Sequence, residues 1–189
     1  MPESGKKGII QVYGIFKVLP MNVFGFAGFS GSGKTMLIER LIPLFVKAGI
    51  RVSLIKHAHH DFDMDIPGKD SWRHRQAGCT EVMVSSSSRW AIIHELKGEQ
   101  EPGLDEQLTH MSPVELVLVE GYKREPIPKL EIWRPEVRKP FLYPDDPHII
   151  AIASTQSLDC LLPQFDLNDP SMIAGFIMRH FGFMESAYA

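Results

Sequence analysis

Eight consecutive residues, Gly28-Phe29-Ser30-Gly31-Ser32-Gly33-Lys34-Thr35, fit the pattern G-x-x-x-x-G-K-[ST] at every fixed position. The chemistry of that pattern is phosphate binding. Its glycines let backbone N–H groups turn inward around a β-phosphate. Lys34 sets a point charge between β- and γ-phosphates. The Thr35 hydroxyl completes the shell of a Mg²⁺ ion that otherwise keeps several waters. Phe29, Ser30, Gly31, Ser32 and Gly33 form the cradle, together with Lys34 and Thr35. Such a loop works with a second acid on a neighbouring strand. Glu120 is the candidate, because it ends the apolar run 114–119 and precedes Gly121. A carboxylate at the carboxyl end of a buried strand faces the crevice where open α/β sheets bind ligands. Lys34 and Glu120 are thus the candidate catalytic pair. The extra methylene of a glutamate suits contact with Mg²⁺ through water, or positioning of an attacking water.

A second segment, Lys56-His57-Ala58-His59-His60-Asp61-Phe62-Asp63-Met64-Asp65, is dense in ligand-type side chains. Three readings stay open: a transition-metal site, a solvated polar loop, or a nucleotide-responsive loop beside the phosphate cradle. On the last reading Asp65 and Asp70 join Thr35 and Glu120 as metal candidates. Arg73 and Arg75, with Lys123 and Arg124, form a candidate surface for an anionic ligand. Trp72, Trp90 and Trp133 are expected in the core or at an interface.

The elements that must position these groups can be read from periodicity. Residues 23–27 form a short apolar run, as in a buried parallel strand. A helix follows the loop, apolar at 37, 38, 41, 42, 44 and 45, with Pro43 inside it as a predicted kink and Gly49 as its stop. Residues 50–56 alternate as a second strand, which completes a predicted βαβ unit. Asp70 is the expected N-cap of a short helix to Ala77. Residues 81–85 and 90–94 read as strands joined by a serine-rich turn. A short helix at 104–110, then strands at 114–119, 129–133 and 149–153, lead to a last helix. That helix is opened by Asn168-Asp169-Pro170 and stopped by Gly182. The fold class is α/β, a P-loop NTPase with a mostly parallel sheet flanked by helices.

Chain length of 189 residues suits one domain. Residues 21–189 are assigned to it, and residues 1–20 to an N-terminal extension or remnant, with Met21 a candidate start. Residues 8–19 are apolar enough to mimic a signal peptide, but no Ala-x-Ala-like cleavage site follows. With 44% hydrophobic and 23% charged residues the composition is that of a globular domain. A formal net charge of −3 gives no electrostatic case for nucleic-acid binding. No apolar run reaches the length of a membrane span. Cys79 and Cys160 form no C-x-x-C pair and are expected as buried, reduced thiols of a cytoplasmic protein.

Together the P-loop, Ile55-Lys56-His57-Ala58-His59-His60, Asp65-Ile66-Pro67-Gly68-Lys69-Asp70-Ser71, Val119-Glu120-Gly121-Tyr122-Lys123 and Phe165-Asp166-Leu167-Asn168-Asp169-Pro170 resemble the molybdopterin-guanine dinucleotide biosynthesis protein B (MobB) family. The resemblance covers residues 21–183 and is most specific over 56–71. It implies a GTP-binding protein with weak GTPase activity that uses Mg²⁺ and forms a homodimer. It also implies an accessory role beside the molybdenum cofactor guanylyltransferase MobA, with molybdopterin as a further candidate ligand. No N-K-x-D or T-K-x-D guanine-reading motif is present, so guanine preference comes with the resemblance alone. Two other classes use the same loop. A small-molecule kinase or ligase would need arginine clamps, for which Arg73 and Arg75 are the candidates. A metallochaperone GTPase would use His57, His59 and His60. The apolar stretch Phe141-Leu142-Tyr143 is the candidate dimer contact.

Overall fold

The computed structural model describes residues 21–58 and 62–183. In chain order the elements are β1 (Asn22–Ala27), α1 (Lys34–Lys47), β2 (Val52–Lys56), α2 (Asp70–Gln76), β3 (Glu81–Ser85) and β4 (Trp90–His94). They continue with α3 (Leu104–Thr109), β5 (Leu116–Glu120), β6 (Lys129–Ile132), β7 (Ile149–Ser154), β8 (Gln164–Asp166) and α4 (Pro170–His180). Single 3₁₀ turns lie at Pro135–Val137 and Tyr143–Asp145. Six strands form one sheet in the order β2-β5-β1-β6-β7-β8, and every pair in it is parallel. β3 and β4 form a separate antiparallel hairpin.

The predicted βαβ unit is present, with a third strand inserted in it. β1 and β2 are parallel but not neighbours, because β5 lies between them. The segment 116–119 is buried on both faces, and such a strand is favoured inside the sheet rather than at its edge. Two smaller differences follow from local chemistry. Lys69, with extended backbone, is the N-cap of α2, and Asp70 is its first helical residue. β8, three residues long, is too short for alternation to reveal.

The sheet carries helices on both faces. Phe24, Phe26, Leu116, Leu118, Leu130 and Ile132 pack on one side against Leu37, Ile38, Leu41 and Phe45 of α1 and Ile173, Ala174 and Ile177 of α4. Pro43 sits within α1, where its missing N–H removes the bond back to Glu39. Asp169 caps α4, accepting from the backbone N–H of Ser171 and Met172 and from the Ser171 hydroxyl. On the other side Val117 and Val119 pack with Ile55 and with Leu104 of α3.

That second face also buries charge. Lys129 on β6 crosses beside Gly25, where any β-carbon would stand 2.5 Å from its Cγ. It reaches Asp146 at 2.8 Å. Two residues on, Glu131 accepts the backbone N–H of Leu142 at 2.8 Å and of Tyr143 at 2.9 Å. Burial pushes the Glu131 carboxyl above its ordinary value, against the pull of those two N–H groups. Lys129 and Glu131 together pin the 141–146 segment to the sheet. Phe141 packs against Trp133 with ring centroids 4.7 Å apart. The apolar stretch 141–143 is therefore half-buried against its own chain.

The cysteine expectation is corrected as well. Cys79 is exposed and Cys160 half-buried, since both lie in turns outside the packed layers. No helix among the described residues is long and apolar enough to cross a membrane.

Candidate functional site

The parallel register sets the floor of the site. Phe26 of β1, Glu120 of β5 and Lys56 of β2 lie level with one another at the carboxyl ends of three adjacent strands. The glycine loop leaves β1 at that level and turns into α1. Gly28 adopts φ +150°, and a β-carbon there would stand 2.6 Å from both the Ile132 carbonyl and the Ser32 hydroxyl. Only glycine fits that bend. Gly33, left-handed at φ +95°, is the N-cap of α1. No side chain caps this helix and no acid lies in its first turn. Its first N–H groups and the positive end of its dipole therefore suit an anion from outside the helix.

The loop and strand ends enclose an open cavity of about 610 Å³. Gly28, Ser30, Gly31, Gly33, Lys34 and Thr35 line one wall, and Lys56, His57, Glu120 and Lys123 line the other. The Thr35 hydroxyl donates to Glu120 Oε1 at 2.8 Å. Lys56 Nζ stands 3.6 Å from Glu120 Oε2. Glu120 is buried, so its carboxylate is held by these two partners. Lys34 Nζ donates to the carbonyls of Gly28 and Phe29, both at 3.0 Å. Burial lowers the Lys34 ammonium below its ordinary value; Glu120 opposes this, while Lys123 and Lys56 add to it. Lys123 also sits 4.7 Å from the centre of the Phe29 ring, with Lys139 5.8 Å from it.

These residues fit a nucleotide polyphosphate with a hard divalent cation. Three ammonium groups and one carboxylate face the cavity, a balance that favours a polyanion. The Thr35 hydroxyl and Glu120 carboxylate, already in contact, are the oxygen donors that Mg²⁺ takes while keeping its waters. The bend that a β-carbon would block completes the fit. Phe29 and Ser32 belong to the loop but are not among the residues that line the cavity. Ser32 is buried, and its hydroxyl is without a hydrogen-bond partner among the described residues.

Not every sequence candidate reaches this place. Asp65 and Asp70 are not among the lining residues. Asp65 accepts from the Ser71 hydroxyl at 2.8 Å, the Ile66 backbone at 3.0 Å and Arg75 Nε at 3.2 Å. Asp70 is exposed and lies 4.0 Å from Arg73. Arg75 is half-buried, with only 8% of its side chain exposed, and is bonded to three carboxylates, Asp63, Asp65 and Glu95. It ties the segment after β2 to α2 and to the end of the hairpin, so it is not a free phosphate clamp. Arg73 points to solvent. His57 lines the cavity, pairs with Glu101 at 2.9 Å and packs against Tyr122 with the two rings tilted. His59 and His60 lie outside the described residues. Among the described residues no group of three His, Cys, Asp or Glu side chains could hold a metal ion. Lys139 and Arg134 approach the loop from beyond β6 and carried no sequence signal, because nothing local links residues 134 and 139 to residue 29 or 32.

The Arg75 junction makes a clear prediction. Arg75→Ala is expected to speed amide exchange at Ile66, Lys69 and the first turn of α2 by roughly tenfold, with Arg73→Ala unchanged. Acid should mimic it. The Arg75 hydrogen bond holds the Asp63 carboxyl below its ordinary 3.8. A depressed carboxyl contributes stability above its unfolded value and loses it as pH falls through the folded one. The Asp63 contribution to the junction should therefore be fully present above about pH 3.8 and be lost as pH falls below it through the lower folded value.

Comparison with known proteins gives a consistent picture. The sequence profile of MobB, molybdopterin guanine dinucleotide synthesis protein B, matches residues 23–155. A molybdopterin-guanine dinucleotide biosynthesis adapter protein of Haemophilus influenzae is 42% identical over 88% of this chain and 97% of its own length. The adapter protein of the same description from Escherichia coli is 41% identical over 83% of this chain and 91% of its own. Among solved structures, a crystal structure of molybdopterin-guanine biosynthesis protein B superposes with a TM-score of 0.69 at 25% identity. That match covers 85% of this chain and 99% of the other.

Proposed function

This chain belongs to the MobB family of molybdopterin-guanine dinucleotide biosynthesis adapter proteins, and from that membership we propose that it works by holding Mg²⁺-GTP in the cavity above Glu120. The observation that carries the proposal is the contact of the Thr35 hydroxyl with the buried Glu120 carboxylate at 2.8 Å, under three lysines. Mg²⁺, when bound, would supply charge neutralisation between the outer phosphates. The chain's own parts do the rest. The α1 amides and Lys34 bind and orient phosphate oxygens, and Lys56 and Lys123 balance the charge. Glu120 holds Thr35 in place and is placed to orient a water at the outer phosphate. Among the described residues no arginine lines the end of the cavity beside Thr35 and Glu120, which suits slow GTP hydrolysis and a holding role.

The proposed partner is the guanylyltransferase MobA, with molybdopterin as a further candidate ligand, in the cytoplasm. A homodimer is also proposed. The surface that supports it is the hairpin, since residues 141–143 pack against their own chain. Register puts Met83 opposite Ile92, with Trp90 on the same face, and all three are exposed.

Titration calorimetry with GTP and ATP, each with and without Mg²⁺, tests the reading. GTP with Mg²⁺ is expected to bind most tightly. Absence of GTP binding, or equal affinity for ATP, would count against it.

A further inference from the structure

Arg134 lies just past β6, on the flank of β1 opposite β5. Its Nε donates to the Ser32 carbonyl at 3.1 Å. Its Nη2 stands 3.2 Å from the place a β-carbon would take on Gly33. Neither Nη1 nor Nη2 bonds to another described residue. A half-buried guanidinium is thus fixed to the phosphate loop by one donor, with its remaining N–H groups uncommitted.

The two ends of the site differ. Thr35, Glu120 and Lys56 gather the metal-binding oxygens and two charges on the β5 and β2 side. A polyphosphate with its metal-bearing end there leads away across Gly33, toward β6. We propose that Arg134 is the residue that receives this other end, meeting the α-phosphate of the bound nucleotide through its Nη groups. The inference rests on the nucleotide reading above and adds a residue to it. A planar guanidinium can make two parallel bonds to a phosphate, which an ammonium cannot. Because Nε is already held by Ser32, little side-chain freedom remains to be lost on binding.

The test compares wild type, Arg134→Ala and Arg134→Lys by calorimetry with GTP, GDP and inorganic pyrophosphate, beside the melting temperature of each free chain. Arg134→Ala is expected to weaken GTP and GDP by about 10- to 100-fold. Pyrophosphate, which can sit wholly at the metal-bearing end, should lose clearly less. Arg134→Lys should fall between, and it keeps the test open should the alanine variant fail to fold. Unchanged GTP and GDP affinity in either variant overturns the proposal. So does an equal loss for pyrophosphate together with a lowered melting temperature, which would mark Arg134 as a brace of the loop alone. A wild-type chain that binds no GTP would instead overturn the nucleotide reading itself.

Discussion

Replacing Lys34 with alanine is expected to weaken Mg²⁺-GTP binding by about 10²- to 10³-fold while the chain stays folded. The size follows from removing one partner of a desolvated charge pair, which costs on the order of 2–5 kcal/mol. The fold should tolerate it. Among the described residues Lys34 bonds only to the carbonyls of Gly28 and Phe29, and it packs into neither apolar cluster. Its ammonium is also partly desolvated in the free chain, so alanine relieves a cost as well as losing two bonds. The discriminating pair of measurements is calorimetry for affinity and thermal melting for the fold. Near-wild-type GTP affinity in a folded Lys34→Ala chain would sink the phosphate-cradle account.

The second large effect is expected at Glu120. Glu120→Gln keeps the side-chain shape and an oxygen to accept the Thr35 hydroxyl, so the local geometry should survive. What disappears is the buried negative charge facing Lys56 and the metal position. Two consequences have opposite sign. The enhancement of GTP affinity by Mg²⁺ should shrink by about tenfold or more, since an anionic oxygen ligand or second-sphere partner is gone. Metal-free GTP should bind as well as before or better, because one carboxylate no longer repels the phosphates. Any slow hydrolysis should fall by about 10²-fold if Glu120 orients the water. Phosphate release and titrations at several Mg²⁺ concentrations measure all three. Unchanged Mg²⁺ dependence would remove Glu120 from the metal site.

How far the sequence carried this account depends on the range of each interaction. The glycine loop, α1 and Glu120 were legible because each signal is local: a spaced motif, a 3.6-residue stripe, and an acid closing an apolar run. Sheet order was not legible, because the apolar run at 116–119 is compatible with any interior position, and only packing against both β1 and β2 selects one. Asp65 looked like a metal ligand by type. Its carboxylate is instead held by Arg75, ten residues on, across a loop whose path no periodicity describes. Along β6 the residues Lys129, Leu130, Glu131 and Ile132 alternate, so that Lys129 and Glu131 share one face. That face is covered, and its charges are matched by Asp146 and by backbone N–H groups of a segment far along the chain. Arg134 was missed for the same reason, since its link to Ser32 spans about a hundred residues of chain.

The glycine loop is a strand–loop–helix turn facing a buried acid. The proposed use of that cradle is to hold GTP beside a guanylyltransferase. The most direct test is reconstitution: formation of the guanine dinucleotide cofactor from molybdenum cofactor and limiting GTP, by purified MobA, with and without this chain. Wild-type chain is predicted to raise the rate and the Lys34→Ala chain to leave it at the level of the guanylyltransferase alone. Equal stimulation by wild type and Lys34→Ala, or none by wild type, would contradict the account.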